Sequence, residues 1–134
     1  MAKAEKLPVT PEAHEQVALF RAIEDIGVKL YPELELLHHI PNGGKRNARE
    51  AEHLKQQGVK AGVPDLFLPV ARGKWHGLYI EMKAGDNKPT QKQEWWMKKL
   101  TEQGYVCMVC YGYKQAMEVL VKYLTGGKGI ISWW

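Results

Sequence analysis

The stretch from residue 64 to residue 83 constrains the fold of this 134-residue chain more than any other. Two short apolar segments, residues 66–70 and 78–83, are separated by a polar loop at residues 72–77 that contains two glycines. Short apolar runs bounded by turn residues are typical of strands. The sequence therefore predicts a β-hairpin here. Because an isolated hairpin is only marginally stable in water, the rest of the chain must supply further strands and the helices that cover them.

Helical and strand patterns alternate on both sides of this hairpin. Helices are predicted at residues 11–26, 48–57, 90–103 and 115–124, and further strands at residues 34–40 and 105–111. Thr10 and Thr90 are suitable N-cap residues, and Gly27, Gly58 and Gly104 are expected to end helices. This order predicts an α/β fold in which one central four-stranded mixed sheet is flanked by helices.

Length and composition fit a single domain over residues 1–134. The chain is 45% hydrophobic and 25% charged, which is typical of an ordered globular core. Residues 1–8 are expected to be a flexible arm, and residues 130–134 an apolar tail that could bury an interface between copies or cap its own core. No apolar run approaches the roughly 18 residues of a membrane span, and no secretory signal is visible. We therefore expect an intracellular protein without a membrane anchor.

The two cysteines, Cys107 and Cys110, form a C-x-x-C pattern that is found in zinc and redox sites. On a strand, however, positions three apart point to opposite faces of the sheet. No second pair of cysteines exists to complete a zinc site. We therefore predict that both are buried core residues.

The charge of the chain is unevenly distributed. Residues 41–60 hold five basic residues against two acidic ones, and residues 72–99 hold seven against three, within a total net charge of +4. Clustered lysines and arginines gain affinity for polyanions by releasing counterions, so DNA is a reasonable partner, although a basic solubilising surface is the alternative. The candidate DNA-binding residues are Lys45, Arg46, Arg49, Lys74, Lys88 and Lys92.

Asp65 begins the first hairpin strand, and Glu81-Met82-Lys83 ends the second. Because side chains alternate across a strand, Glu81 and Lys83 project from one face, and Asp65 on the neighbouring strand can lie beside Glu81. Two adjacent carboxylates repel each other, and a divalent cation such as Mg²⁺ or Mn²⁺ is the usual reason to hold them together. The lysine can polarise a phosphate oxygen or orient a nucleophilic water. The alternative is a surface acid beside an ordinary Glu–Lys pair.

Two further polar residues are candidates for the same site. Gln93 lies on the inward stripe of the helix that follows the hairpin, where it could act in the site or complete a capping box with Thr90. Glu12 falls inside the apolar arc of the first helix, and Glu15 falls at its margin. If Glu12 faces the sheet it could complete a metal site, with Glu15 as the fallback. An acid in a first helical turn can also serve only the helix dipole.

Taken in this order and spacing, these residues resemble the PD-(D/E)xK nuclease superfamily, whose restriction-endonuclease-like core is αβββαβ. The whole chain more narrowly resembles a stand-alone VRR-NUC domain. The motifs that carry the resemblance are Glu12-Ala-His-Glu-Gln16, His39-Ile-Pro-Asn-Gly-Gly-Lys-Arg46, Gly58-Val-Lys-Ala-Gly-Val-Pro-Asp65, Leu78-Tyr-Ile-Glu-Met-Lys83, Lys88-Pro-Thr-Gln-Lys-Gln93 and Gly104-Tyr105. No catalytic position departs from the family pattern.

The resemblance implies a metal-dependent endodeoxyribonuclease. Asp65, Glu81 and Glu12 would ligate Mg²⁺ or Mn²⁺ together with the Met82 carbonyl, and Lys83 would position the attacking water. Short stand-alone members occur in phages and bacteria and are similar to homodimeric Holliday-junction resolvases, which favours branched DNA as the substrate. The alternatives are a module that binds branched DNA without cutting it, and a nuclease that acts on linear duplex or flap DNA.

Overall fold

The structure, a computed structural model, describes residues 10–41 and 47–126. Its sheet consists of β1 (His38–His39), β2 (Leu66–Leu68), β3 (Leu78–Lys83) and β4 (Val106–Tyr111), which lie side by side in that order. The first three strands pair antiparallel, and β3 pairs parallel with β4. The predicted four-stranded mixed sheet is therefore confirmed.

Helices occupy the positions that the sequence predicts between these strands. They are α1 (Pro11–Ala22), which continues through a π-helical turn at Ile23–Gly27 into α2 (Val28–Leu30), then α3 (Ala48–Gln56), α4 (Gln91–Glu102) and α5 (Tyr113–Leu124). A 3-10 helix at Pro32–Leu36 precedes β1. The element order matches an αβββαβ core with α3 inserted between β1 and β2 and α5 added at the end.

Strand alternation divides the core into two layers. On β3, Leu78, Ile80 and Met82 face the larger apolar cluster, which includes residues of α1 and α5. The intervening residue Tyr79 packs against the smaller cluster beneath α4, which contains Met97. Because Glu81 and Lys83 have the same parity as Tyr79, they lie on the α4 face of the sheet.

The prediction for the two cysteines is also confirmed. Cys107 belongs to the cluster beneath α4, whereas Cys110 belongs to the cluster beneath α1 and α5. Burial raises the pKa of each thiol to about 12. Because the thiolate is the form that ligates metals and reacts, these cysteines act as core residues.

Helix caps form where the sequence predicts them. The Thr10 hydroxyl accepts a hydrogen bond from the Ala13 amide at 3.1 Å, and Thr90 caps α4 in the same way. Gly58 and Gly104 follow α3 and α4 with φ values of +100° and +95°. This left-handed conformation carries little penalty for glycine, which explains why both helices end there.

The predicted strand at residues 34–40 is wrong over its first half. Residues 32–36 form a 3-10 helix instead, and the strand is confined to His38–His39. Leu34 and Leu37 are both buried, and their spacing of three residues places them on one side of a 3-10 turn. The same apolar run would have split them across two faces of a strand.

Gly27 does not end the first helix as predicted. Its φ of −55° is helical, and the chain continues through it into α2. A Cβ atom at this position would lie 3.1 Å from the Leu34 side chain. The glycine therefore permits close packing of the 3-10 helix against the π turn, and it does not act as a helix stop.

Other element boundaries differ by a few residues. The second strand ends at Leu68, the fourth begins at Val106, and the last helix begins at Tyr113, directly after Gly112. No helix in the described part of the chain is long and apolar enough to cross a membrane. The predicted arm at residues 1–8, the tail at 130–134, and Lys45 and Arg46 lie outside the described residues.

Candidate active site

The pairing of β2 with β3 brings the two predicted acids together. Leu66 is opposite Ile80 in the ladder, so Asp65 at the start of β2 is adjacent to Glu81. The Asp65 carboxylate also accepts a hydrogen bond from the Met82 backbone amide, with an N···Oδ2 distance of 2.8 Å. This bond ties Asp65 to the strand that carries Glu81. The predicted juxtaposition of the two carboxyl groups is therefore present.

Glu81 is a buried acid in an unfavourable environment. Only 2% of its surface is exposed, and its Oε2 atom is buried without a hydrogen-bond partner in the described part of the chain. Burial, and then the nearby charge of Asp65, raise the pKa of Glu81 from 4.5 to about 9. Lys83 lowers this pKa, but its effect is the smaller one. Such a group is costly to keep unless it binds something that offsets the cost.

Lys83 lies on the same side of β3 as Glu81, as strand alternation predicts. Its Nζ atom is 3.9 Å from Glu81 Oε1, and the residue is only 9% exposed. A lysine held in this way presents its ammonium group beside Glu81, where it can interact with a phosphate oxygen. The site thus combines two carboxylates and one ammonium group at the end of β3.

The backbone of Asp65 is held by groups that the sequence does not reveal. Its carbonyl oxygen accepts from the Ile40 amide at 2.7 Å and contacts His39 Nδ1 at 2.9 Å. The turn before it is fixed by α4, since Trp96 Nε1 donates to the Ala61 carbonyl at 3.1 Å. In the sequence, His39 and Trp96 are distant from Asp65 and give no signal of this support.

Glu12 reaches towards the loop that follows β3. Its Oε1 atom accepts a hydrogen bond from the Asn87 side chain at 2.5 Å. Glu15, the fallback candidate, instead accepts from the Tyr113 amide at 3.2 Å and so supports the first turn of α5. Glu12 therefore contacts Asn87 in the loop after β3, and Glu15 lines a surface pocket together with Ala84 at the start of the same loop.

Gln93 forms the capping box that was one of its two predicted roles. Its Oε1 accepts from the Thr90 amide at 2.9 Å, and its own amide donates to the Thr90 hydroxyl at 3.2 Å. The side-chain Nε2 group has two N–H donors that the cap does not need. If Gln93 also acts in the site, it does so through Nε2.

The basic candidates in the described residues lie on different surfaces. Arg49 is exposed on α3, Lys88 on the loop after β3, and Lys92 on the first turn of α4. Lys74 lies over the ring of Trp75, with Nζ 4.9 Å from the ring centroid, in the loop that joins β2 to β3. Lys88 and Lys92 both precede Gln93 by a few residues, whereas Lys74 lies at the opposite end of β3 from Glu81.

The chemistry of the donor set fits a hard divalent cation. The carboxylates of Asp65 and Glu81, the latter with one buried oxygen that has no partner in the described part of the chain, and the Met82 carbonyl are oxygen ligands of the kind that Mg²⁺ and Mn²⁺ prefer. No group of three His, Cys, Asp or Glu side chains that could hold a metal is found within residues 10–41 and 47–126. The role of Glu12 as a third protein ligand thus stays a prediction.

The fold and the paired acids beside a lysine define a nuclease of the PD-(D/E)xK type. The family model for the VRR-NUC domain matches residues 13–114, and the chain belongs to this family. A solved structure called "VRR_NUC domain protein" has a TM-score of 0.73 and 31% sequence identity to this chain, and the match covers 90% of this chain and 93% of that one. No curated protein matches the chain. Family membership implies a nuclease function in DNA processing, with DNA as a partner.

Proposed function

We propose that this protein is a Mg²⁺- or Mn²⁺-dependent endodeoxyribonuclease that cuts branched DNA, such as Holliday junctions, as a homodimer. The observation that supports this best is the buried Glu81 oxygen beside Asp65 and Lys83, which has no hydrogen-bond partner among the residues that the structure describes. A cation there would offset the repulsion between the two acids and stabilise negative charge on a scissile phosphate. This accounts for a cluster that a DNA-binding module without catalysis would not need.

The residues of the chain have distinct roles in this proposal. Asp65, Glu81, the Met82 carbonyl and Glu12 would hold the cation. Lys83 would orient the attacking water and neutralise charge on the phosphate as the phosphorus–oxygen bond breaks. The hydrogen bond from the Met82 amide to the Asp65 carboxylate holds Asp65 next to Glu81. Lys45, Arg46 and Arg49, together with Lys74, Lys88 and Lys92, would bind the DNA backbone.

A homodimer suits a branched substrate for a geometric reason. A Holliday junction has two equivalent strands to cut, and two active sites related by a two-fold axis can address both. Branched DNA can also be recognised by its shape through backbone contacts, without base-specific readout. This supports a junction nuclease over a sequence-specific enzyme.

The proposal is tested by incubating the protein with a synthetic four-way junction, a linear duplex and a flap, each with Mg²⁺, Mn²⁺ or EDTA. We expect paired cuts in the junction with either metal, slower cutting of the other substrates, and no cutting in EDTA. Preferential cutting of duplex or flap would favour the alternative nuclease. Binding without cutting under every condition would favour the non-cleaving module, and cutting in EDTA would exclude the metal role.

We propose further that the Gln93 side chain contacts the substrate or the attacking water through Nε2. Gln93→Glu is expected to keep the capping box, because glutamate is an equally good partner at this helical position. It removes the Nε2 donors, and losing one such donor typically lowers a catalytic rate by about 100-fold. The measurement is the rate of junction cleavage together with the melting temperature.

The matched control is Gln91→Glu, which makes the same change on the exposed side of the first turn of α4. This variant is expected to cut nearly as well as the wild type. If Gln93→Glu cuts at the wild-type rate, the glutamine serves only as a helix cap. A fall in the melting temperature of Gln93→Glu would show instead that the substitution had damaged the cap.

A further inference from the structure

The helical layer formed by α1, the π turn and α2 has an unusually apolar outer surface. Val17, Ile26 and Leu30 are 50%, 62% and 67% exposed. Leu19 and Ile23, in the same helical segment, are almost fully buried against the sheet. Single exposed apolar residues are ordinary, but several along one face commonly mark an interaction surface.

Of these three exposed residues, Ile26 and Leu30 belong to a regular stripe, and Val17 lies beside it. His14, Ala18, Ala22, Ile26 and Leu30 recur at every fourth position, and all of them are exposed or half-buried. The π turn between Ala22 and α2 widens the helix where the stripe would otherwise drift around it. Rows of residues four apart form ridges that pack into the grooves of another helix. We call these five residues the α1 stripe.

A groove runs beside the middle of the α1 stripe. It is an open concavity of about 530 Å³, lined along α1 by Val17, Ala18, Arg21 and Ala22 and bounded at one end by Tyr113 of α5. The two alanines make its floor shallow enough for another helix to approach closely, whereas Ile26 and Leu30 form a ridge further along. One surface therefore contains both a groove and an apolar ridge.

We infer that the α1 stripe is the surface through which two copies of this chain pair as antiparallel helices around a two-fold axis at Ala22. Four residues separate Ala22 from Ala18 on one side and from Ile26 on the other, so Ile26 of each copy meets Ala18 of its partner copy. The same axis brings Arg21 of one copy close to Asp25 of the other. The surface is thus complementary to itself in shape and in charge, as a two-fold interface must be.

The composition of the stripe favours a second copy over DNA. A DNA-binding face gains its affinity from several cations that contact phosphates. Here Arg21 and His14 are accompanied by the acid Asp25, and the positions between them are apolar. A single helix pair is small beside a standard interface of about 800 Å² per partner, so we expect a dissociation constant in the micromolar range.

This inference rests on the homodimer of the proposed function but is measured without metal or DNA. The experiment is sedimentation equilibrium of the full chain between about 1 and 100 µM, where a micromolar dimer dissociates measurably. The wild type is expected to approach twice the mass of one chain. Ala22→Arg places a bulky cation at the axis opposite its own symmetry copy and is expected to stay monomeric over the whole range. Ala51→Arg, on the exposed α3 helix, is the matched control and should behave as the wild type.

A charge exchange gives a test that does not depend on one variant folding well. Arg21→Asp and Asp25→Arg are each expected to raise the dissociation constant by about tenfold, and the double variant should restore it. A monomeric wild type, a dimeric Ala22→Arg protein or a double variant without rescue would each overturn the inference. If the protein dimerises as described but cuts no DNA, the proposed function fails and this surface stands.

Discussion

Glu81→Gln is expected to lower metal-dependent cleavage of a four-way junction by about 1,000-fold or more. Glutamine keeps the size of the side chain but removes the negative charge that a divalent cation requires. The buried setting of Glu81 makes this effect large, since no water or neighbouring acid can easily replace a ligand that is only 2% exposed. The measurement is the single-turnover cleavage rate in Mg²⁺ and in Mn²⁺.

The control for this variant is Glu118→Gln, which makes the same change on an exposed position of α5 and should leave the rate unchanged. Glu81→Gln should still bind the junction in EDTA, because the basic residues that contact the backbone are intact. Cleavage at the wild-type rate would remove Glu81 from the chemistry. Loss of junction binding together with a folding defect would leave the assignment without support.

Asp65 is better tested with asparagine than with alanine. Its Oδ2 atom accepts the hydrogen bond from the Met82 amide, so alanine would remove a structural contact as well as a charge. Asparagine retains an acceptor oxygen at nearly the same place. Asp65→Asn therefore removes the negative charge of the side chain but keeps the hydrogen bond to the Met82 amide.

The central part of the site could be predicted because it depends on strand geometry. Alternation along Leu78–Lys83 places Glu81 and Lys83 on one face, and hairpin pairing places Asp65 beside them. Both rules depend only on local spacing and on the identity of the turn residues. A pattern of this kind is visible in a single sequence.

The supports of the site could not be predicted in the same way. Asn87 contacts Glu12 across 75 residues of sequence, and Trp96 donates to the backbone of Ala61 across 35. Such contacts depend on how loops fold back over the sheet, which no periodicity encodes. The helical phase of α1 indicated that Glu12 is turned inward, but it could not identify Asn87 as the residue that Glu12 would meet.

The errors in the first third of the chain have a related cause. An apolar run with two leucines three apart fits both a strand and a 3-10 turn, and tertiary packing decides between them. Leu34 packs against Gly27, whose hydrogen side chain leaves room for it. A glycine that is needed for close packing and a glycine that ends a helix look the same in sequence, which explains why the helix boundary was misplaced.

The metal-free protein is expected to lose stability as the pH rises from about 5 to about 8. The pKa of Glu81 is about 9 in the folded protein, above its ordinary value of 4.5. Between these two values the folded state retains a proton that the unfolded state releases. Unfolding therefore releases a proton, and the free energy of unfolding falls by about 1 kcal/mol for each pH unit. A carboxyl with a lowered pKa would produce the opposite slope.

The Glu81→Gln variant isolates this contribution, because its side chain does not titrate while all the other groups remain. Urea unfolding in EDTA is measured at pH 5, 6, 7 and 8. Across this range the free energy of unfolding of the variant should rise by a few kcal/mol relative to that of the wild type. Adding Mg²⁺ at pH 8 should stabilise the wild type, since the cation binds the ionised acid, and should have little effect on the variant. Parallel stability curves for the two proteins would mean that Glu81 is ionised in the folded state throughout, and that Lys83 alone balances its charge.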